Sequence, residues 1–154
     1  MDRADKVAGP ALALDLGERR IGVAVSDRGR VLARPMTVVA RRGDRAKEHE
    51  EIRLLVEEAG ATTVVVGLPL SLSGKSGPAA ARALQEIEEL RAVLAVPVVA
   101  HDERLSTVEA TRRLRDNRTE QRSRRSPTTK RRTVVDDVAA AILLESYLAL
   151  QARS

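Results

Sequence analysis

A chain of 154 residues with 43% hydrophobic and 32% charged side chains fits one globular domain with a sizeable core, and no stretch approaches the roughly 18 apolar residues of a membrane span. With no cysteine and two histidines, it cannot form disulfides, thiolate metal centres or cysteine nucleophiles, and a histidine-built zinc site is disfavoured; any metal would be held by oxygen, as Mg²⁺ and Mn²⁺ are. Without Phe or Trp, and with Tyr147 as its single aromatic of that class, it lacks the stacking platform that reads single-stranded bases, and its net charge is +5.

Residues 1–10, MDRADKVAGP, have no apolar stretch of the kind a secretion signal needs, and read as a flexible tail before a single domain over 11–154. Ala11 to Leu14 are apolar and run straight into Asp15; Gly17 to Arg20 turn the chain, and Ile21, Val23 and Val25 begin a second run. Two antiparallel strands are predicted, with a carboxylate late in the first. Such an Asp is costly unless hydrogen bonds, a cation or a metal offset its charge. Asp27-Arg28-Gly29-Arg30 is a hairpin signal, and a third strand is predicted from Val31 to Val39, with Pro35 marking an edge or a bend. Ile52, Leu55, Val56 and Ala59 have helical spacing, predicting an amphipathic helix over Arg45–Ala59 that ends at Gly60. His49, among Glu48, Glu50 and Glu51, reads as a solvated residue on its polar side.

Thr62 to Gly67 is a β-branched run expected in a strand buried on both faces, and Pro78 to Val93 is the next helix. Gly74-Lys75-Ser76 superficially resembles a P-loop, but six residues separate Gly67 from Gly74 where that motif has four. Lys75, at the mouth of a helix, can still meet a phosphate. Pro97 to Ala100 is a fifth strand leading into His101-Asp102-Glu103-Arg104, and a short helix is predicted over 107–114. Between Arg112 and Arg132, ten Lys and Arg face two acids, a local charge of +8 against −3 for the rest of the chain. The segment 115–132, with few apolar residues, reads as a mobile basic loop suited to a polyanion. In the last helix Thr133 reads as the N-cap, placing Asp136 at N3 and Asp137 at N4, and Ala139, Ile142, Leu143 and Ser146 mark a packed face. The order β-β-β-α-β-α-β-α predicts an α/β domain, a mixed five-stranded sheet flanked by helices.

Three carboxylate sites thus stand at the ends of core elements: Asp15, the pair Asp102 and Glu103, and the pair Asp136 and Asp137. Each has an ordinary structural explanation, a turn or a helix N-terminus. If the first and fifth strands are neighbours and the last helix packs on their sheet, the sites can converge. The chemistry that uses such a cluster is phosphodiester hydrolysis by two divalent ions about 3.5–4 Å apart. Without ions, clustered carboxylates repel and raise one another's pKa.

In four stretches, LDLGERRIGVAVSD (14–27), VVVGLPLSLSGKSG (64–77), HDERLSTVEA (101–110) and VVDDVAAAILLESYL (134–148), the chain resembles the YqgF/RuvX family, described as pre-16S rRNA nucleases or Holliday-junction-resolvase-like proteins. The resemblance covers Ala11 to Leu150. It implies an RNase H-like fold related to the RuvC resolvases and a metal-dependent nuclease, with Asp15, Glu103 and Asp136 as the acidic residues on Mg²⁺ or Mn²⁺, two ions per site. Asp102 and Asp137 rank behind them as ligands. Lys75, Arg104, Arg122, Arg124, Arg125, Lys130 and Arg131 are the expected nucleic-acid contacts, with Arg104 pairing an active-site carboxylate or a phosphate, or equally making a structural pair. The expected partner is RNA, in processing of the pre-16S rRNA 5′ end in the cytoplasm, by a monomer or weak homodimer. The alternatives are a resolvase of branched DNA, a non-catalytic RNA- or ribosome-binding protein, and an actin/Hsp70-type nucleotide-binding half-domain.

Overall fold

The computed structural model describes residues 9–70, 77–105 and 131–153, with positions 131–137 described through their backbone alone. Strands β1 (Ala11–Leu16), β2 (Arg20–Ser26) and β3 (Ala33–Ala40) are followed by helix α1 (Arg45–Ala59) and strand β4 (Thr63–Leu68). Helix α2 (Pro78–Val93), strand β5 (Val98–Asp102), a 3₁₀ turn (Glu103–Leu105) and helix α3 (Arg131–Ala152) complete the described chain. The five strands form one sheet in the order β3-β2-β1-β4-β5. β1, β4 and β5 run parallel, while β2 is antiparallel to both β1 and β3. The predicted mixed five-stranded sheet is therefore the one observed. Among the described residues, no helix is long and apolar enough to cross a membrane.

Period-2 alternation divides the core in two. Leu12 and Leu14, with Ile21, Val23, Val64 and Val66, face Ile52 and Val56 of α1 and Ile87 and Leu90 of α2. Ala11, Ala13, Ala24 and Val65 face the other way, onto Ala140, Ala141, Leu143, Leu144 and Leu148 of α3. Val64 to Val66 are fully buried, as expected of a strand covered on both sides. The branched half supplies the larger share of burial, because each such side chain removes more apolar area from water than an alanine does.

Several expectations need correcting. β3 begins at Ala33, not Val31, and Val31 and Leu32 are 74% and 71% exposed. The Asp27 carboxylate accepts the N–H groups of Gly29, Val31 and Leu32, which prolongs the turn by two residues. β3 is the edge strand Pro35 predicted, and its pairing with β2 slips beside that proline, between Val23 and Ala24. β5 extends to Asp102 because β4 continues to Leu68 and offers it a ladder partner. α3 begins at Arg131, two residues before the predicted cap, so Thr133 lies inside it and 131–132 are helix rather than loop. Both arginines are good helix formers. On α3 it is Ala140 that is buried, while Ala139 is exposed. His49 is 3% exposed and not solvated. It precedes Ile52 by three residues and Val56 by seven, so it belongs to the buried stripe. The predicted helix over 107–114, Lys75 and the basic positions 112–130 lie outside the described residues.

Candidate active site

Because β1, β4 and β5 are parallel, their carboxyl ends emerge at one edge of the sheet, where ligands of open α/β sheets bind. Asp15 is the fifth residue of β1 and stands opposite Gly22 of β2. Glu103 opens the 3₁₀ turn directly after β5. The condition that the first and fifth strands be neighbours is not met, since β4 lies between them. The gap is bridged at Gly67. A Cβ added there would lie 2.6 Å from Glu103 Oε2, so the Glu103 side chain crosses β4 where a side chain is missing. Only glycine leaves that path open. In the sequence the signal is an isolated glycine closing a β-branched run, which by itself does not say what crosses it.

Asp15, Gly67 and Glu103 line one cleft of about 730 Å³, whose other walls include Arg41, Glu48, Arg82 and Glu86. Loss of hydration raises the pKa of the Glu103 carboxyl, and the charges of Asp15 and Asp102 raise it further. Its outer surface is nonetheless open to water. Two carboxylates converging with all-oxygen donors, one of them disfavoured in its charged form, suit a hard divalent cation that would offset their repulsion. Among the described residues, no group of three Asp, Glu or His is close enough to hold a metal ion. Asp136 and Asp137 fall in the first turns of α3, with side chains outside the described residues. A second hollow beside Asp15 is lined by Ala139, one residue before the buried Ala140. Position 136 is four residues before Ala140, one helical turn.

Asp102 and Arg104 pair with each other, Arg104 donating from Nη2 to Asp102 Oδ2 at 2.6 Å and from Nε at 3.0 Å. That contact depresses the Asp102 pKa, so of the open possibilities for Arg104 the structure contains the carboxylate pairing. His101 is buried, and its Nε2 lies 3.0 Å from Ser146 Oγ, which donates to the Leu105 carbonyl at 2.9 Å. This ties α3 to the turn that carries Glu103. Arg122, Arg124, Arg125 and Lys130 lie outside the described residues, as does the side chain of Arg131. Arg41, Arg82 and Glu86 also line the cleft, at positions outside the motifs quoted above. Glu86 was detectable, since it falls between Ala83 and Leu90 on the apolar stripe of α2.

A family model described as "RuvX: Holliday junction resolvase" matches residues 9–150. A "Putative pre-16S rRNA nuclease" of Roseiflexus sp. (strain RS-1) is 41% identical over 140 residues, 91% of this chain and 94% of its own length. A protein of the same name from Chloroflexus aggregans is 43% identical over 138 residues, 89% and 91% of the two chains. Among solved structures, Thermus thermophilus RuvC in complex with a Holliday junction substrate superposes with a TM-score of 0.56 at 16% identity, over 94% of this chain and 95% of that one. The likeness to RuvC extends to the fold. Together, the four-motif resemblance, the family match and the shared sheet architecture show that this chain is a nuclease of the RuvX family, built on the RNase H-like fold.

Proposed function

We propose that this nuclease cleaves RNA in a divalent-metal-dependent reaction, acting in the cytoplasm on the 5′ end of precursor 16S rRNA, with Asp15, Glu103 and Asp136 as the metal-holding carboxylates. The observation that carries the reading is the passage of Glu103 across Gly67 into the cleft that Asp15 lines. The ions, Mg²⁺ or Mn²⁺ and two per site, supply an activated water and charge neutralisation at the scissile phosphate. Asp15 is held by the end of β1 and Glu103 by the turn after β5, so the two are presented from a rigid sheet edge. Asp136 completes the set by virtue of its position one turn before Ala140. The +8 segment, with Arg122, Arg124, Arg125, Lys130 and Arg131, and Lys75 before α2, contacts backbone phosphates. The names borne by the relatives from Roseiflexus and Chloroflexus favour RNA over branched DNA.

The test sets a precursor rRNA fragment beside a four-way DNA junction, with Mg²⁺ and with Mn²⁺, using wild type, Asp15→Asn and Glu103→Gln. Expected is metal-dependent cleavage of the RNA, reduced at least about a hundredfold in either variant. Cleavage of the junction alone would replace the substrate with branched DNA. RNA cleavage that survives Asp15→Asn unchanged would remove the site.

A further inference from the structure

Below the acidic end of the cleft lies a second charged cluster that phosphodiester chemistry does not use. Glu86 from α2 and Glu48 and His49 from α1 are each under 5% exposed. They converge on Arg41, which follows the last residue of β3. Arg41 grips Glu86 with both ends of its guanidinium, Nη1 to Oε2 at 2.8 Å and Nη2 to Oε1 at 3.0 Å. Nη1 also donates to Glu48 at 3.1 Å, and His49 Nε2 lies 2.7 Å from Glu86 Oε2. The remaining nitrogen leaves the cluster: Nε donates to the Gly17 carbonyl at 3.0 Å. The Arg41 backbone N–H donates to the Arg19 carbonyl at 2.9 Å, so one residue holds the β1–β2 turn at two points. Inside that turn the Gly17 N–H donates to the Asp15 and Arg20 carbonyls. A Cβ on Gly17 would lie 2.6 Å from the Arg20 oxygen, so a side chain there would force the turn open.

A buried ion pair is weak evidence of added stability, since apolar residues of similar volume often serve as well. What apolar residues cannot supply is a directed donor to a chosen carbonyl. We infer that Arg41, forked on Glu86, is a positioning residue that fixes the turn after β1 and thereby sets the Asp15 carboxylate for metal binding, an inference that rests on the nuclease reading above. The arrangement joins three elements, α1, α2 and the end of β3, at a carbonyl two residues from Asp15.

The experiment measures Mn²⁺ affinity by calorimetric titration of the full chain, and kcat and KM on the RNA fragment, at a temperature where circular dichroism shows every variant folded. Arg41→Lys keeps the charge but cannot fork and reach Gly17 together. Arg91→Lys is the control. Arg91 clamps the Val98 carbonyl through Nε and Nη2 at 3.1 and 2.8 Å, at the start of β5 and away from the site. Expected for Arg41→Lys is a loss of Mn²⁺ affinity and of kcat on the order of tenfold, with KM unchanged, while Arg91→Lys matches wild type. Should Arg41→Lys fail to fold, Glu86→Gln makes the same test, because it opens the fork and leaves Arg41 paired with Glu48. Wild-type Mn²⁺ affinity and kcat in these variants, whatever their thermal stability, would overturn the inference alone. Wild-type protein whose Mn²⁺ binding is untouched by Asp15→Asn would overturn the metal reading and the inference with it.

Discussion

Glu103 enters the cleft that Asp15 lines because Gly67 has no side chain, and this makes a single methyl group informative. In Gly67→Ala the new Cβ would displace Glu103, whose Cγ and Cδ lie 3.1 and 3.3 Å from the position it would take. The backbone at 67 lies outside the left-handed region, and Glu103 is flexible with one side open, so the fold has room to yield. Expected is a stability change within about 1 kcal/mol in urea denaturation, beside a loss of cleavage rate on the order of a hundredfold if Glu103 holds metal as proposed. A large loss of stability with wild-type cleavage would mean that the glycine serves packing only.

At the scale of elements, Glu86 joins α2 to α1 and to the end of β3. Burial alone would raise its pKa, but His49, Arg41 and Arg45 together hold it at about 2, against an ordinary 4.5. A carboxyl depressed by folding contributes stability that is complete above about pH 4.5 and is lost as the pH falls toward 2. With its side chain 5% exposed, the contribution is on the order of 3 kcal/mol. The prediction is that wild-type unfolding free energy falls through this window more steeply than that of Glu86→Gln, measured by urea titration at successive pH values. Parallel curves for the two proteins would refute it. The same pair of helices shows how a polar residue can hide in a pattern. His49 and Glu86 sit among charged neighbours in the chain, yet each occupies a position on its helix that the 3.6-residue period turns inward.

Over the whole molecule, positive charge is concentrated between Arg112 and Arg132, and the acidic cleft is built from residues outside that stretch. Neutralising Arg122, Arg124 and Arg125 together is expected to weaken RNA binding and to lower the salt-dependence slope by about 2, at roughly 0.7 per charge on a single strand. Unchanged affinity across ionic strengths would show the segment to be ordinary solvated surface. Element types and order were legible from the chain itself, since α1 and α2 occur over their predicted ranges and every strand is present within two residues. Apolar periodicity, Gly60 and Pro78 are local signals, and local signals determine local structure. The carboxylates were legible as candidates for the same reason, each being an acid at the end of an apolar run. The tertiary structure alone decided that β4 separates β1 from β5, that Gly67 opens the way between them, and that Arg41 meets Glu86 across 45 residues. These depend on register and on which faces pack, and both are settled by contacts between residues far apart in the chain, whose pairing no local pattern encodes.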